Sequence, residues 1–93
     1  MMKRVKPGGS VVPPQQNGEM PLSDMQTGEY GVVVRLVGGR GLLSRMTALG
    51  FTPGASVTVV QNFGHGPLIA RVRDARIALG RGEASKIHVR RTE

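Results

Sequence analysis

Ninety-three residues with a net charge of +7, from 13 Lys and Arg against 6 Asp and Glu, and no cysteine describe one small basic domain. A domain of this size buries only about 60% of its unfolded surface, and without thiols it has neither disulfides nor thiolate metal ligands. No apolar run approaches the roughly 18 residues of a membrane span, and the charged start Met1-Met2-Lys3-Arg4 leads into Pro7-Gly8-Gly9-Ser10 instead of the apolar region that export requires, so a cytoplasmic chain is expected.

Residues 1–20 contain Pro7, Pro13, Pro14, a Gly-Gly pair and Gln15-Gln16-Asn17-Gly18, with almost nothing to bury. A disordered tail is expected there, with the folded domain over 21–93 and Met20 as a candidate start of translation. The run 30–37 reads as a strand, with Val32, Val34 and Leu36 on one face and Arg35 on the other. Leu42, Met46 and Leu49, with Leu43 alongside, predict a helix of about two and a half turns with one apolar face. Gly50 stands where the left-handed helix stop is wanted, and Pro53 follows where the helix cannot resume. Ala55, Val57 and Val59 alternate with Ser56, Thr58 and Val60 in a strand, and 62–67 turns the chain. Leu68, Ala70 and Val72 alternate with Arg71 and Arg73. Asp74-Ala75-Arg76 reads as a tight reversal and Ile77-Ala78-Leu79 as a short strand. A single helical turn over 80–85, with Ala84 inward, precedes a last strand over 86–90 whose Ile87 and Val89 point one way. The chain is therefore expected to be mainly β, a small barrel of about five strands with a short helix after the first and a helical turn before the last.

The inventory for catalysis is poor. His65 lies in Gly64-His65-Gly66, where the backbone holds a ligand or base poorly, and His88 is expected to face solvent, opposite Ile87 and Val89. No two His, Asp or Glu residues show the i, i+3 or i, i+4 spacing that sets ligands on one helix face. Gly38-Gly39-Arg40-Gly41 precedes the helix and could offer amides to an anion, but no Gly-Lys-Ser/Thr follows and the third glycine of a dinucleotide fingerprint is missing. The glycines are read as turn formers. The chain is read as a non-enzyme without a cofactor, its basic residues spread over the surface.

Leu49-Gly50-Phe51-Thr52-Pro53-Gly54 resembles the FeoA family, the small cytoplasmic component of bacterial ferrous iron uptake, which carries Leu-Gly-hydrophobic-x-Pro-Gly after its first helix. Leu22-Ser23-Asp24 with Gly28-Glu29, Gly66-Pro67-Leu68, and the closing Ile77-Ala78-Leu79, Glu83-Ala84 and Ile87-His88-Val89 continue the likeness over about 21–91. Phe51, where an aliphatic residue is usual, and the N-terminal tail depart from the pattern. The resemblance implies an SH3-like barrel in which Leu49, Gly50, Pro53, Gly54, Ile77, Leu79, Ala84, Ile87 and Val89 are structural. It also implies an accessory role with FeoB, the GTP-binding ferrous iron permease, so that the chain meets the membrane only through this partner. Transition-metal binding is a family-level label that no ligand spacing here supports.

If the chain works by contact, the helix and its following turn are the candidate surface. Arg40 and Arg45 are expected to be exposed, and Phe51 stands at their rim as a candidate anchor, an aromatic beside arginine being common at interface hot spots. Met46, Leu49 and Phe51 could instead close one end of the barrel. Two other readings are weaker. A small basic nucleic-acid-binding barrel would have only Tyr30, Phe51 and Phe63 for stacking. A detached SH3-like module of a metal-dependent repressor would be expected to follow a helix-turn-helix segment, and 1–20 offers none.

Overall fold

Short β-branched runs punctuated by glycine set the architecture of the computed structural model, which describes residues 18–92. Strand β1 (Glu19–Pro21) leads through a 3-10 turn (Leu22–Asp24) to β2 (Tyr30–Leu36) and helix α1 (Arg40–Leu49). Strands β3 (Ser56–Gln61), β4 (Leu68–Val72) and β5 (Ala75–Leu79) follow, then the helical turn α2 (Arg81–Ala84) and β6 (Ile87–Arg91). All six strands form one antiparallel sheet in the order β1-β6-β2-β3-β4-β5.

The mainly β, one-helix-and-one-turn plan is as expected, but the sheet has a sixth strand. Glu19, Met20 and Pro21 pair with Arg90, Val89 and His88, so two residues assigned to the tail belong to the sheet. The rest of that assignment, 1–17, lies outside the described residues. The reversal between β4 and β5 also comes earlier than expected. Arg73, at φ 57°, and Asp74 make the turn, and Ala75 and Arg76 are already in β5.

Two irregularities bend the sheet around its core. Val33 pairs with Val89 while Arg35 pairs with His88, leaving Val34 as an extra residue in β2. Val60 is likewise extra in β3, between Val59, opposite Ala70, and Gln61, opposite Ile69. Such bulges sharpen the local twist and help a sheet to curl. The first also resets which side chains point inward: Val33 is buried and Leu36 packs against the core, whereas Val32 and Val34, expected inside, are only half-buried. Val57, Val59, Leu68, Ala70, Val72, Leu79, Ile87 and Val89 supply the core from the other strands. Leu22, Met25, Met46, Phe51 and Ala84 fill it from the 3-10 turn, the two helices and their flanks.

Helix α1 ends in a Schellman arrangement. Gly50 is left-handed at φ 109°, its N–H donates to the Thr47 carbonyl at 3.0 Å, and the Phe51 N–H donates to the Met46 carbonyl at 3.0 Å. The motif favours an apolar contact between the residue after the glycine and the last turn, and Phe51 and Met46 are both fully buried in the core. The next turn is hydrogen-bonded to β2: Gly54 N–H donates to the Val33 carbonyl and Val33 N–H to the Ala55 carbonyl, each at 2.8 Å.

Gly31 serves close packing. A Cβ there would lie 2.4 Å from the Arg90 carbonyl oxygen on the neighbouring β6 backbone. Gly31→Ala is therefore expected to lower unfolding free energy by about 1–3 kcal/mol in chemical denaturation, because backbone must move. Gly41→Ala, where a Cβ meets nothing within 4 Å, is expected to leave stability unchanged or raise it by about 0.5 kcal/mol through helix propensity.

Candidate functional site

The burial of Phe51 separates it from the arginines with which the sequence grouped it. Its ring is 0% exposed, because the helix stop turns it inward, and the expectation of an aromatic anchor at the rim is corrected. Leu49 moves the other way. Expected on the apolar face of α1, it is 37% exposed as the last helical residue, and Met46 alone of the helix is buried.

Arg40 is exposed at the first residue of α1, a helix without an acidic side chain in its first turn. Arg45 is exposed but not free, since its guanidinium pairs with the Glu83 carboxylate of α2. Glu83 also accepts a 3.3 Å hydrogen bond from the Gly80 N–H, so this pair ties α1 to the start of α2. Of the remaining motif residues, Leu79, Ala84, Ile87 and Val89 are core, Ile77 packs against it, Gly50 ends the helix, and Pro53 and Gly54 form the exposed turn.

His88 does face opposite Ile87 and Val89, but it does not reach open solvent. Only 20% of its side chain is exposed, and Nδ1 lies 3.6 Å from Oε2 of Glu19. The strand that covers it, β1, is the one the sequence reading placed in the tail. The buried Glu19 carboxylate also has Arg35 Nε at 2.9 Å. One imidazole and one carboxylate, with a guanidinium on that same oxygen, do not fit a metal ion. Among the described residues no group of three or more His, Asp or Glu could hold one. His65 is exposed at the β3–β4 loop tip.

Arg81 and Asn62 form a hub that residue spacing did not reveal. Arg81 donates to the Asn62 side-chain oxygen at 3.0 Å, to the Gly66 carbonyl at 3.3 Å and to the Ser23 carbonyl at 2.9 Å. The Asn62 amide donates to the Ser23 and Met25 carbonyls at 3.1 and 2.6 Å, and its oxygen accepts the Gly64 N–H at 2.9 Å. One guanidinium and one amide thus pin the β3–β4 loop and α2 to the 3-10 turn, where water would otherwise have to satisfy these carbonyls.

A bulged six-stranded antiparallel sheet with one short helix after β2 and a helical turn before β6, its charged side chains on the outside, defines an SH3-like module. Residues 20–91 match the family model described as FeoA domain. A Porphyromonas gingivalis Fe(2+) transport protein A/Fe(2+) transporter FeoB fusion protein is 40% identical over 72 residues, 75% of this chain and 8% of that protein. The crystal structure of an iron uptake regulatory protein (FeoA) is similar at a TM-score of 0.76 and 36% identity, over 80% of this chain and 99% of that one. Stenotrophomonas maltophilia FeoA, an SH3 domain protein crystallised with zinc, is similar at a TM-score of 0.68 and 29% identity, over 75% of this chain and 88% of that one. The chain belongs to the FeoA family of ferrous iron transport accessory proteins.

Arg81→Ala is expected to cost about 2 kcal/mol in denaturant unfolding, because it removes the guanidinium's hydrogen bonds to the Asn62 oxygen and to the Gly66 and Ser23 carbonyls, leaving Ser23 with the Asn62 amide alone. The ion pair joining the start of β2 to the end of β6 generates a pH dependence. Glu29 accepts the Gln26 N–H at 2.8 Å and Arg91 Nη1 at 2.7 Å. The Gln26 N–H first, and Arg91 second, hold its carboxyl below the ordinary 4.5 against a partial burial that raises it. A depressed carboxylate contributes stability above its unfolded pKa and loses it as pH falls through the folded one. The thermal midpoint is therefore expected to decline on acidification below pH 4.5, and Glu29→Gln to show a shallower decline in the same titration.

Proposed function

We propose that this protein is a non-enzymatic accessory factor of ferrous iron uptake that acts in the cytoplasm by binding the cytoplasmic part of a FeoB-type permease. The observation that carries the proposal is the Porphyromonas gingivalis fusion, in which a segment 40% identical to this chain is covalently part of a FeoB transporter. Two activities joined in one polypeptide in one organism are commonly partners when encoded separately. No described helix is long and apolar enough to cross a membrane, in keeping with attachment through a partner. The surface chemistry also fits contact better than turnover: the buried Glu19 carboxylate and the Glu83 and Glu29 carboxylates are each engaged by an arginine.

Arg40 is the contact residue on the helix side. A cation at a helix N-terminus opposes the helix dipole and is mildly unfavourable there, so its placement fits a role outside the fold. Arg45 contributes to the same rim while it holds Glu83.

The test is retention of the full-length permease on the immobilised full chain, together with ferrous uptake in a strain lacking the protein. Retention and reduced uptake are expected. Arg40→Glu is expected to weaken retention about three- to tenfold through loss of electrostatic attraction. An intact permease that is not retained, with normal uptake in the deletion strain, would overturn the proposal.

A further inference from the structure

The outer face of β3–β4–β5 breaks a rule of sheet stability. Arg71 of β4 lies directly across from Arg76 of β5, and like charges in that position destabilise the pair. Arg73, in the turn between them, is the one described non-glycine residue with positive φ, a conformation that few side chains adopt readily. All three arginines are exposed, and among the described residues none has a carboxylate within 4.0 Å. Arg35, Arg45 and Arg91, elsewhere on the barrel, each have one.

Arg73 has a partial structural reason. Its side chain lies where a Cβ on Gly50 would meet it at 3.2 Å, at the negative end of α1. Arg71 and Arg76 have no such reason. Protecting an edge strand from pairing needs charge on β5, which Arg76 supplies; it does not call for a second arginine opposite it on the interior strand β4.

One pair further along the same two strands, the face turns apolar. Ile69 lies opposite Ala78, and together with Phe63, His65 and Pro67 they line an open groove of about 440 Å³. Phe63 at its margin is 69% exposed. Arginines in register with an apolar groove, on a face that ends in the free edge of β5, form one continuous surface of two parts.

We infer that this face docks a segment of a protein partner that presents carboxylates to Arg71 and Arg76 and a bulky apolar side chain to the Ile69–Ala78 groove. Charge complementarity commits the occupant to an acidic segment. Nucleic acid would find only Phe63 and His65 on this face, among the described residues, on which to stack a base, and Ile69, Pro67 and Ala78 line a groove instead of projecting as a membrane-inserting wedge would. The inference rests on the reading that the protein works by binding a protein partner, and it adds a second contact surface away from Arg40.

The test uses the full chain and a labelled synthetic peptide with leucine flanked by glutamates, followed by fluorescence anisotropy, with the lysine-for-glutamate peptide and anionic phosphatidylglycerol vesicles as the other arms. The acidic peptide is expected to bind, more weakly as salt is raised. Arg76→Glu is informative because it replaces a repulsive pair with an attractive one. It is expected to raise the thermal midpoint while weakening peptide binding about tenfold, two changes that a purely structural arginine would not produce together. Ile69→Ser is expected to weaken binding as well, and Arg40→Glu to leave it within about twofold. Absent peptide binding, equal binding of both peptides, binding unchanged in Arg76→Glu, or binding to vesicles alone would each overturn the inference. Permease retained equally by wild type and Arg76→Glu would also overturn it while leaving the proposed function intact. Failure of the wild type to retain permease bears on that function, and the peptide titration then decides the surface by itself.

Discussion

The chain changes direction at Gly50, and much of the barrel depends on how it does so. With Gly50 left-handed, the Phe51 N–H reaches back to the Met46 carbonyl, and the largest fully buried side chain is carried from the end of a surface helix into the centre of the sheet. Three residues after Phe51 the Gly54 N–H meets the Val33 carbonyl. This extends the pairing of β3 with β2 beyond Ser56 and Val32. Helix end, core anchor and strand register are therefore one local event. A residue unable to take positive φ at position 50 would disturb all three, and its Cβ would also press on the Arg73 side chain.

Charge is distributed unevenly around this frame. The chain has few carboxylates, and three of them sit at seams: Glu19 between β1 and β2, Glu29 between β2 and β6, Glu83 between the helices. Arg35, Arg45 and Arg91 are engaged at these seams, while Arg71 and Arg76 of β4 and β5, like Arg40, Lys86 and Arg90 elsewhere, have no carboxylate within 4.0 Å among the described residues. A net basic composition says nothing about which cations the fold engages and which it leaves unpaired. The pairing pattern is the better guide.

The family pattern was legible because its residues obey local rules: a glycine that stops a helix, a Pro-Gly turn, alternation along β3, β4 and β6. What was missed depended on partners distant in sequence. The inward face of β2 was misjudged since an extra residue at Val34 shifts the parity, and a bulge leaves no trace in hydropathy. Phe51 looked like a rim aromatic because exposure at a helix end depends on the cap hydrogen bonds, not on residue type. Glu19 and Met20 were assigned to the tail because a three-residue strand has too little periodicity to stand out; only β6, some 70 residues away in sequence, gives it a place. The Arg81–Asn62 hub was unreadable for the same reason, its targets being backbone carbonyls of residues 15 to 58 positions away along the chain.

The pairing of β1 with β6 has a geometric consequence. Gly18 accepts a backbone hydrogen bond from Arg91, so the chain enters and leaves the barrel at the same edge, at the opposite end of the strand order from β5. A tether attached at either end of the folded part would meet the domain at the β1–β6 edge. For a module that occurs both as a separate chain and within a longer polypeptide, this makes the two arrangements mechanically alike: the point of attachment stays at the same edge whichever end is joined.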